Sequence, residues 1–159
     1  MAGTRYLQND ELRATISWRI RTLAGSVPRR VWFFQPKPVG VYTDASGGGH
    51  VGVTIHYDGS AYCTATHLPH WIRTAKAKTA DYELRGSVLG ACVARALFPD
   101  MPVLLFCDNQ GARGAINRGS CKTSHGRALA AISWIVSAEN GHRAWTEYVR
   151  SKENQADPV

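Results

Sequence analysis

The architecture of this chain follows from residues 39–49, which read Val39-Gly40-Val41-Tyr42-Thr43-Asp44-Ala45-Ser46-Gly47-Gly48-Gly49. The apolar first part predicts a short strand over 39–44, which ends in Asp44 and is followed by a tight turn at the glycines. Burying an unpaired carboxylate at the end of an apolar strand costs free energy, and a bound divalent cation is the usual compensation. The segment therefore predicts a strand that ends in a metal ligand.

The residues that follow predict two more strands and a helix. A second strand is expected over 50–57 and a third over 60–67, because Asp58-Gly59 between them is a strong hairpin signal. A helix is expected over 79–98, and Pro99 ends it. Its predicted buried face consists of Leu84, Val88, Leu89, Cys92, Val93 and Leu97.

The last third of the chain alternates strands and helices. Residues 103–107 are a continuous apolar run, typical of a strand buried on both faces. Helices are expected over 109–118 and 124–140, and a final strand over 143–149. The order β-β-β-α-β-α-α-β predicts an α/β fold with a five-stranded mixed sheet flanked by helices.

Residues 1–38 predict a lead-in to this domain. An amphipathic helix is expected over 9–24, and a loop rich in proline and arginine over 24–38. We therefore expect an N-terminal helix and linker at 1–38 and one domain at 39–159. Trp134 and Trp145 within that domain are expected to pack in the core or on the sheet.

The chain is basic, with 19 Lys and Arg against 12 Asp and Glu and a formal net charge of +7. This charge favours an anionic partner, nucleic acid first, although a merely soluble basic protein is the other interpretation. The cysteines form no C-x-x-C pair, which argues against a zinc site. No apolar stretch could span a bilayer and no signal peptide is recognisable, so we expect a reduced, intracellular setting and no membrane partner.

Four acidic residues stand out from this basic background: Asp44, Glu83, Asp108 and Asp157. In the predicted sheet, Asp44 and Asp108 lie at the carboxyl ends of neighbouring parallel strands, where ligands commonly bind. Glu83 lies near the start of the first core helix, and Asp157 follows the last strand. Any one of them alone is more often a cap or turn residue, but together they predict a metal site.

These segments resemble the ribonuclease H family. The resemblance covers roughly 39–157, and 9–38 more loosely. The ending is similar to the "N-x-A-D-P" close of ribonuclease H domains in reverse transcriptases of retrotransposons and hepadnavirus-like elements. The lead-in is also similar to the segment that joins a polymerase thumb to such a domain. The motifs that carry the resemblance are Thr43-Asp44-Ala45-Ser46-Gly47, Tyr82-Glu83-Leu84, Asp108-Asn109 and Asn154-Gln155-Ala156-Asp157-Pro158.

The resemblance implies a metal-dependent endonuclease that cuts the RNA strand of RNA–DNA hybrids with two Mg²⁺ ions, which Mn²⁺ can replace. Asp44 would bridge both ions. Glu83 and Asp108 would complete the site at the leaving group, and Asp157 the site that activates water. The resemblance also implies a covalently linked polymerase domain.

Further residues are candidates for contact with the nucleic acid. Ser46, Gly47 and Gly48 leave the backbone accessible to a minor groove, although an ordinary hairpin turn explains the glycines equally well. Asn109 and Gln110 could reach 2′-hydroxyls or base edges, and helix capping is the alternative. Basic side chains on two adjacent helices could hold phosphates or form a solvated face; they are Arg113, Arg118, Lys122 and Arg127.

The chain departs from the family at two places. Cellular members carry a mobile histidine in the loop before the last aspartate, whereas residues 150–156 contain none. Asp157 is followed by only two residues, so we expect a domain truncated at its C-terminus, with an aspartate that tends to fray.

Two other functions stay open from the sequence. One is a resolvase-type or integrase-type nuclease that uses the same carboxylates. The other is a non-catalytic, domesticated module that binds nucleic acid. The glutamate on the first core helix and the Asn-x-Ala-Asp ending favour the hybrid nuclease. All four carboxylates are present, which argues against a scaffold because clustered acids repel one another.

Overall fold

The computed structural model describes residues 17, 20–21, 37–69, 79–99, 101–139 and 144–157. The chain divides into two compact units, Met1–Val31 and Trp32–Val159. In the first unit the described residues are helical, and Arg21 Nε donates a hydrogen bond to the Ser17 carbonyl at 3.3 Å. The rest of the helix expected over 9–24, and nearly all of the loop after it, lie outside the described residues.

The second unit contains one five-stranded mixed sheet. Its strands lie in the order β3-β2-β1-β4-β5; β2 is antiparallel to β1 and β3, and β4 is parallel to β1 and β5. The predicted order of elements and the mixed α/β sheet are confirmed. The strands are β1 (Val39–Ala45), β2 (His50–Tyr57), β3 (Ser60–His67), β4 (Val103–Cys107) and β5 (Ala144–Tyr148).

The β2–β3 hairpin forms where its turn residues predicted it. Asp58 and Gly59 have φ angles of 48° and 78°. A type I′ turn needs a positive φ at both central residues, and aspartate followed by glycine supplies this at low cost. This tight turn fixes the register of β3, whose residues are all exposed.

Three helices complete the described part of this unit: α1 (Thr79–Leu97), α2 (Gln110–Arg118) and α3 (Ser124–Glu139). A short 3₁₀ helix at Ser151–Glu153 precedes Asp157 and was not predicted. The helix α1 contacts β1, α2 and α3, so it joins the sheet to the other helices. Among the described residues, no helix has both the length and the apolar character needed to cross a bilayer.

The face that α1 turns to the sheet is built mainly from small residues, and the predicted apolar face is confirmed in part. Leu84 is buried as expected. Leu89 and Val93 are partly buried and pack against the core, whereas Leu97 is 52% exposed. A Cβ added to Gly90 would lie 2.5 Å from Thr43 Cγ2. Because helix and strand approach so closely, larger side chains do not fit between them. The small buried residues are Gly86, Ser87, Gly90, Ala91 and Ala94.

The expectation that Trp134 and Trp145 pack in the core or on the sheet is confirmed in part: Trp145 lies on the sheet, in β5, but neither ring is in the core. Their exposed fractions are 52% and 53%. Trp134 Nε1 donates to the Ile116 carbonyl at 2.7 Å, and its ring lies against Gly119, the C-cap of α2. Trp134 therefore joins α3 to the end of α2 from the surface. A tryptophan that needs a partner for its N–H is readily held in this way.

Candidate metal centre

Two parallel strands and one helix place three carboxylates at one edge of the sheet. Since β1 and β4 run in the same direction, Asp44 near the end of β1 and Asp108 directly after β4 lie at the same edge. Glu83 lies near the start of α1. A Cβ on Gly86 would be 3.4 Å from Ala45 Cβ, so this part of the helix lies directly against the end of β1.

Residues 154–157, which we call the C-terminal arm, bring Asp157 to the sheet. Asn154 is only 6% exposed. Its Nδ2 donates to the Thr43 carbonyl at 3.0 Å, and its Oδ1 accepts from the Ala156 N–H at 3.2 Å. The Asp157 N–H in turn donates to the Asn154 carbonyl at 3.2 Å. The buried side-chain amide of Asn154 thus attaches the arm to Thr43, the residue before Asp44.

The arm also contacts β2. A Cβ on Gly52 would lie 2.6 Å from the Ala156 carbonyl oxygen, so this glycine permits the close approach. The Thr54 hydroxyl donates to the Gln155 carbonyl at 3.0 Å. The backbone is therefore held as far as Asp157, where the position near the chain end had suggested fraying.

The charges of these residues act on one another. Burial, followed by the negative charges of Asp108 and Asp157, raises the pKa of Asp44, and a hydrogen bond with the Ala45 backbone opposes the rise. The charges of both other aspartates therefore act on Asp44.

Among the described carboxyl groups, Glu83 has the most strongly raised pKa. Its side chain is 4% exposed, and its Oε2 has no hydrogen-bond partner among the described residues. Burial, followed by the charges of Asp44 and Asp108, raises the pKa of Glu83 to about 8. A buried carboxylate oxygen without a partner is costly, and a bound cation would remove the cost.

The tightest group of possible ligands contains Glu83, Asp108 and Cys107. One ligand atom from each lies within 4.8 Å of the others. Carboxylate oxygens are the ligands that Mg²⁺ and Mn²⁺ prefer, and an unsatisfied, partly neutralised carboxylate is the state expected of such ligands without their ion. The residues at this edge therefore fit a divalent cation.

Sequence reasoning placed Cys107 only in the apolar run of β4 and missed its place in this group. It is fully buried and packs with Leu84 and the apolar side of α2. Adjacent strand residues face opposite sides of a sheet, which would separate Cys107 from Asp108. Because β4 ends at Cys107, that alternation no longer applies to Asp108.

The turn after β1 leaves its backbone accessible. Ser46 and Gly47 are exposed, and no described atom lies within 4 Å of a Cβ placed on Gly47. The positive φ of the turn, 85°, is at Gly49, so conformation requires glycine there but not at Gly47. The Ser46 Oγ accepts from the His50 N–H at 3.3 Å. Open space beside Gly47 is compatible with contact by a ligand.

The alternative of helix capping applies to Asn109. Its Oδ1 accepts from the Ala112 N–H at 3.1 Å, which caps α2. The candidate group for contact with nucleic acid is therefore the side-chain Nδ2. Gln110 is the exposed first residue of α2.

The basic candidates lie on α2, on α3 and in the loop that joins them. Arg113 is half-buried, whereas Lys122 and Arg127 are exposed. Arg127 Nη1 donates to the Lys122 carbonyl at 3.3 Å, which ties the start of α3 to the loop. The guanidinium of Arg118 lies against Gly114, where an added Cβ would be 3.1 Å away. These four residues all follow β4 in the sequence, and we refer to them together as the basic face.

Comparison with known proteins identifies the fold. No protein-family model matches the sequence, and no curated protein matches it either. Solved structures do match, with TM-scores of 0.59 and 0.61 for ribonuclease H1 from Halobacterium salinarum and for LC11-RNase H1 isolated from compost. These two are 17% and 14% identical to the chain, and the matches cover 76% and 77% of it and 91% of each of them.

A third similar structure is the N-terminal ribonuclease H domain of Rv2228c from Mycobacterium tuberculosis. Its TM-score is 0.56 and its identity 15%, and the match covers 75% of this chain and 86% of that one. The chain therefore has the ribonuclease H-like fold: a five-stranded mixed sheet with its helices in the same arrangement.

Proposed function

We propose that the domain is a metal-dependent endonuclease that hydrolyses the RNA strand of RNA–DNA hybrids. The observation that carries the proposal is the buried, unpartnered oxygen of Glu83 among like-charged carboxylates, at the carboxyl edge of a ribonuclease H-like sheet. A scaffold gains nothing from this arrangement, because each carboxylate makes ionisation of its neighbours more costly. A cation-dependent reaction on a polyanion accounts for the clustered acids and for the basic exterior of the chain.

In this proposal the carboxylates hold two Mg²⁺ or Mn²⁺ ions. When bound, such ions supply an activated water and stabilise the charge that develops on the phosphate. Asp44, whose pKa is raised by both Asp108 and Asp157, would contact both ions. Glu83 and Asp108 would hold one ion and Asp157 the other.

Other residues would position the substrate. The open backbone at Ser46, Gly47 and Gly48 would approach the minor groove, where the 2′-hydroxyls of RNA lie. Asn109 through its Nδ2 and the exposed Gln110 would contact the same strand near the metal centre. The phosphates of the DNA strand would lie on the basic face, which includes Arg113, Lys122 and Arg127.

We further propose that the domain works as the ribonuclease H part of a reverse transcriptase. The support is the sequence of residues 154–158 and the polymerase-connection-like segment 9–38. The reading frame that encodes the chain tests this: polymerase motifs upstream support the linkage, and an unrelated upstream protein contradicts it.

The nuclease proposal is tested by incubating the chain with labelled RNA–DNA hybrid, duplex DNA and duplex RNA in Mg²⁺, Mn²⁺ or EDTA. We expect cleavage of the RNA strand of the hybrid alone, with either metal and not with EDTA. Cleavage of duplex DNA would favour the resolvase or integrase alternative. Hybrid binding without cleavage in any metal would favour the non-catalytic module.

A further inference from the structure

The group of possible metal ligands formed by Glu83, Cys107 and Asp108 contains a sulfur atom. The Cys107 Sγ and one oxygen each of Glu83 and Asp108 lie within 4.8 Å of one another. The thiol is buried, whereas Asp108 is only half-buried. Mg²⁺ has little affinity for sulfur, whereas Zn²⁺ and Cd²⁺ bind thiolate readily.

A second, independent feature of this group also indicates a ligand. Glu83 is 96% buried (4% exposed), and its Oε2 has no hydrogen-bond partner among the described residues. A buried carboxylate in the same group as the sulfur supplies negative charge that a soft divalent cation would need. Two oxygens and one sulfur also correspond to the three protein ligands of an open zinc site.

The environment of the sulfur permits coordination. The Asn109 N–H lies 3.4 Å from Sγ, and Sγ lies 3.7 Å from the Asn109 carbonyl, so both of these contacts are long. The thiol also bonds the Ser87 side chain, and burial raises its pKa to about 11, a cost that the metal–sulfur bond would have to offset. With Zn–S near 2.3 Å and Zn–O near 2.1 Å, tetrahedral ligand atoms are about 3.6 Å apart. The three ligand atoms lie within 4.8 Å of one another, so a bound cation would have to shorten their separations by no more than about 1.2 Å.

We infer that Glu83, Cys107 and Asp108 form a mixed oxygen–sulfur site for a thiophilic divalent cation such as Zn²⁺ or Cd²⁺. As the metal–sulfur bond forms, the thiol proton is released to solvent, and no electron transfer is involved. Such an ion occupies ligands that Mg²⁺ would use, so it competes with Mg²⁺ and inhibits. The inference rests on the proposed metal centre, but its test does not require nuclease activity.

The test is a Cd²⁺ titration of the metal-free chain, read by the ultraviolet charge-transfer absorption from sulfur to cadmium. The other three thiols are first replaced together (Cys63→Ser, Cys92→Ser and Cys121→Ser), which leaves Cys107 as the single cysteine. We expect a band that saturates at one ion per chain, with an apparent Cd²⁺ affinity that excess Mg²⁺ lowers. Adding Cys107→Ser should abolish the band.

The carboxylate is tested in the same background with Glu83→Gln, which keeps the shape of the side chain and removes its charge. The Cd²⁺ affinity should fall at least roughly tenfold, the low end of the loss seen even for outer ligands of metal sites. A matched control is Glu147→Gln, an exposed carboxylate on β5, which should leave the titration unchanged.

Three results would overturn the inference: no band from Cys107, a band that Glu83→Gln leaves unchanged, or a Cd²⁺ affinity that excess Mg²⁺ leaves unchanged. If the triple variant fails to fold by circular dichroism, the difference between the wild type and Cys107→Ser decides instead. Cd²⁺ binding in a chain that cuts no hybrid would retain this inference and reject the proposed function. Hybrid cleavage without the band would retain the proposed function and reject this inference.

Discussion

The two sides of the metal centre are held in different ways. Glu83 and Asp108, the inner pair, lie on a core helix and at the end of a central strand, and Glu83 is 4% exposed. Asp157 is exposed and lies on the C-terminal arm, which is attached to the sheet by side-chain and backbone hydrogen bonds. The inner pair is thus fixed by packing of the core, and Asp157 by a few polar contacts.

This difference means that the two sides can be disturbed separately. A change in the core should alter stability and the inner pair together. A change in the arm should weaken the ligand Asp157 while the fold stays intact, because few buried apolar groups depend on the arm. Asp44, coupled to Asp108 and Asp157, is where the two effects meet.

The largest effect is expected from Asp108→Asn, which removes an inner ligand charge without changing its shape. The rate of hybrid cleavage should fall on the order of a thousandfold, the upper range for losing one preorganised electrostatic group. The matched control is Asp58→Asn, which makes the same change in the exposed β2–β3 turn, where asparagine also tolerates the positive φ. Equal loss in both variants would contradict the assignment.

Asn154→Ala tests the outer side. It removes both hydrogen bonds of the Asn154 side chain. The affinity for the metal ion at Asp157 and the cleavage rate should therefore both fall roughly 10–100-fold. The melting temperature should change little. In the control, Gln155→Ala, only an exposed side chain is lost, since Thr54 bonds to the Gln155 carbonyl. A fully active Asn154→Ala would show that the arm does not position Asp157.

Gly90→Ala tests the packing that holds the inner side. The added methyl would lie 2.5 Å from Thr43 Cγ2 and 3.1 Å from Val41 Cγ1. Overpacking of this kind destabilises by about 1–3 kcal/mol, more than alanine gains as a helix former. Denaturant unfolding measures it, with Gly47→Ala as the control at a position where the added Cβ has open space. An unchanged or raised stability in Gly90→Ala would mean that helix and strand are less closely packed.

A pH dependence is also expected for the stability of the metal-free protein. Burial raises the pKa of Glu83 from its ordinary value of 4.5 to about 8 in the folded state, so between these pH values the folded state binds more protons than the unfolded state. The free energy of unfolding should therefore fall as pH rises through this window, and saturating Mg²⁺ should reduce the fall. Glu83→Gln should flatten the profile. A stability that rises with pH in the metal-free wild type would contradict the burial of this carboxyl.

Much of the fold could be predicted because the signals are local. Asp58-Gly59 fixes a hairpin wherever it stands between strands, and the apolar run Val103–Cys107 gives β4 with the bounds observed. Prolines and glycines mark most of the other ends. The four acidic residues stand at ends of elements, so their meeting at one edge follows from the element order.

What could not be predicted depends on distances between elements. The close approach of α1 to β1 decides that Gly90 and Ala94 are buried and Leu97 exposed, and no helical periodicity in the sequence encodes that distance. The proximity of Cys107 to Glu83 could not be predicted either, because it depends on the residue at which β4 ends. The arm was not foreseen because its order comes from Asn154 bonding a strand 111 residues away.

The central claim is that the inner pair and Asp157 act as one metal-dependent nuclease site. The most direct test is the rate of RNA-strand cleavage in an RNA–DNA hybrid with Mg²⁺ for wild type, Glu83→Gln, Asp157→Asn and the double variant. Groups that act as a unit are strongly non-additive, so the double variant should lose about as much rate as the worse single variant. Losses that multiply, or a wild type that leaves the hybrid intact, would contradict the account.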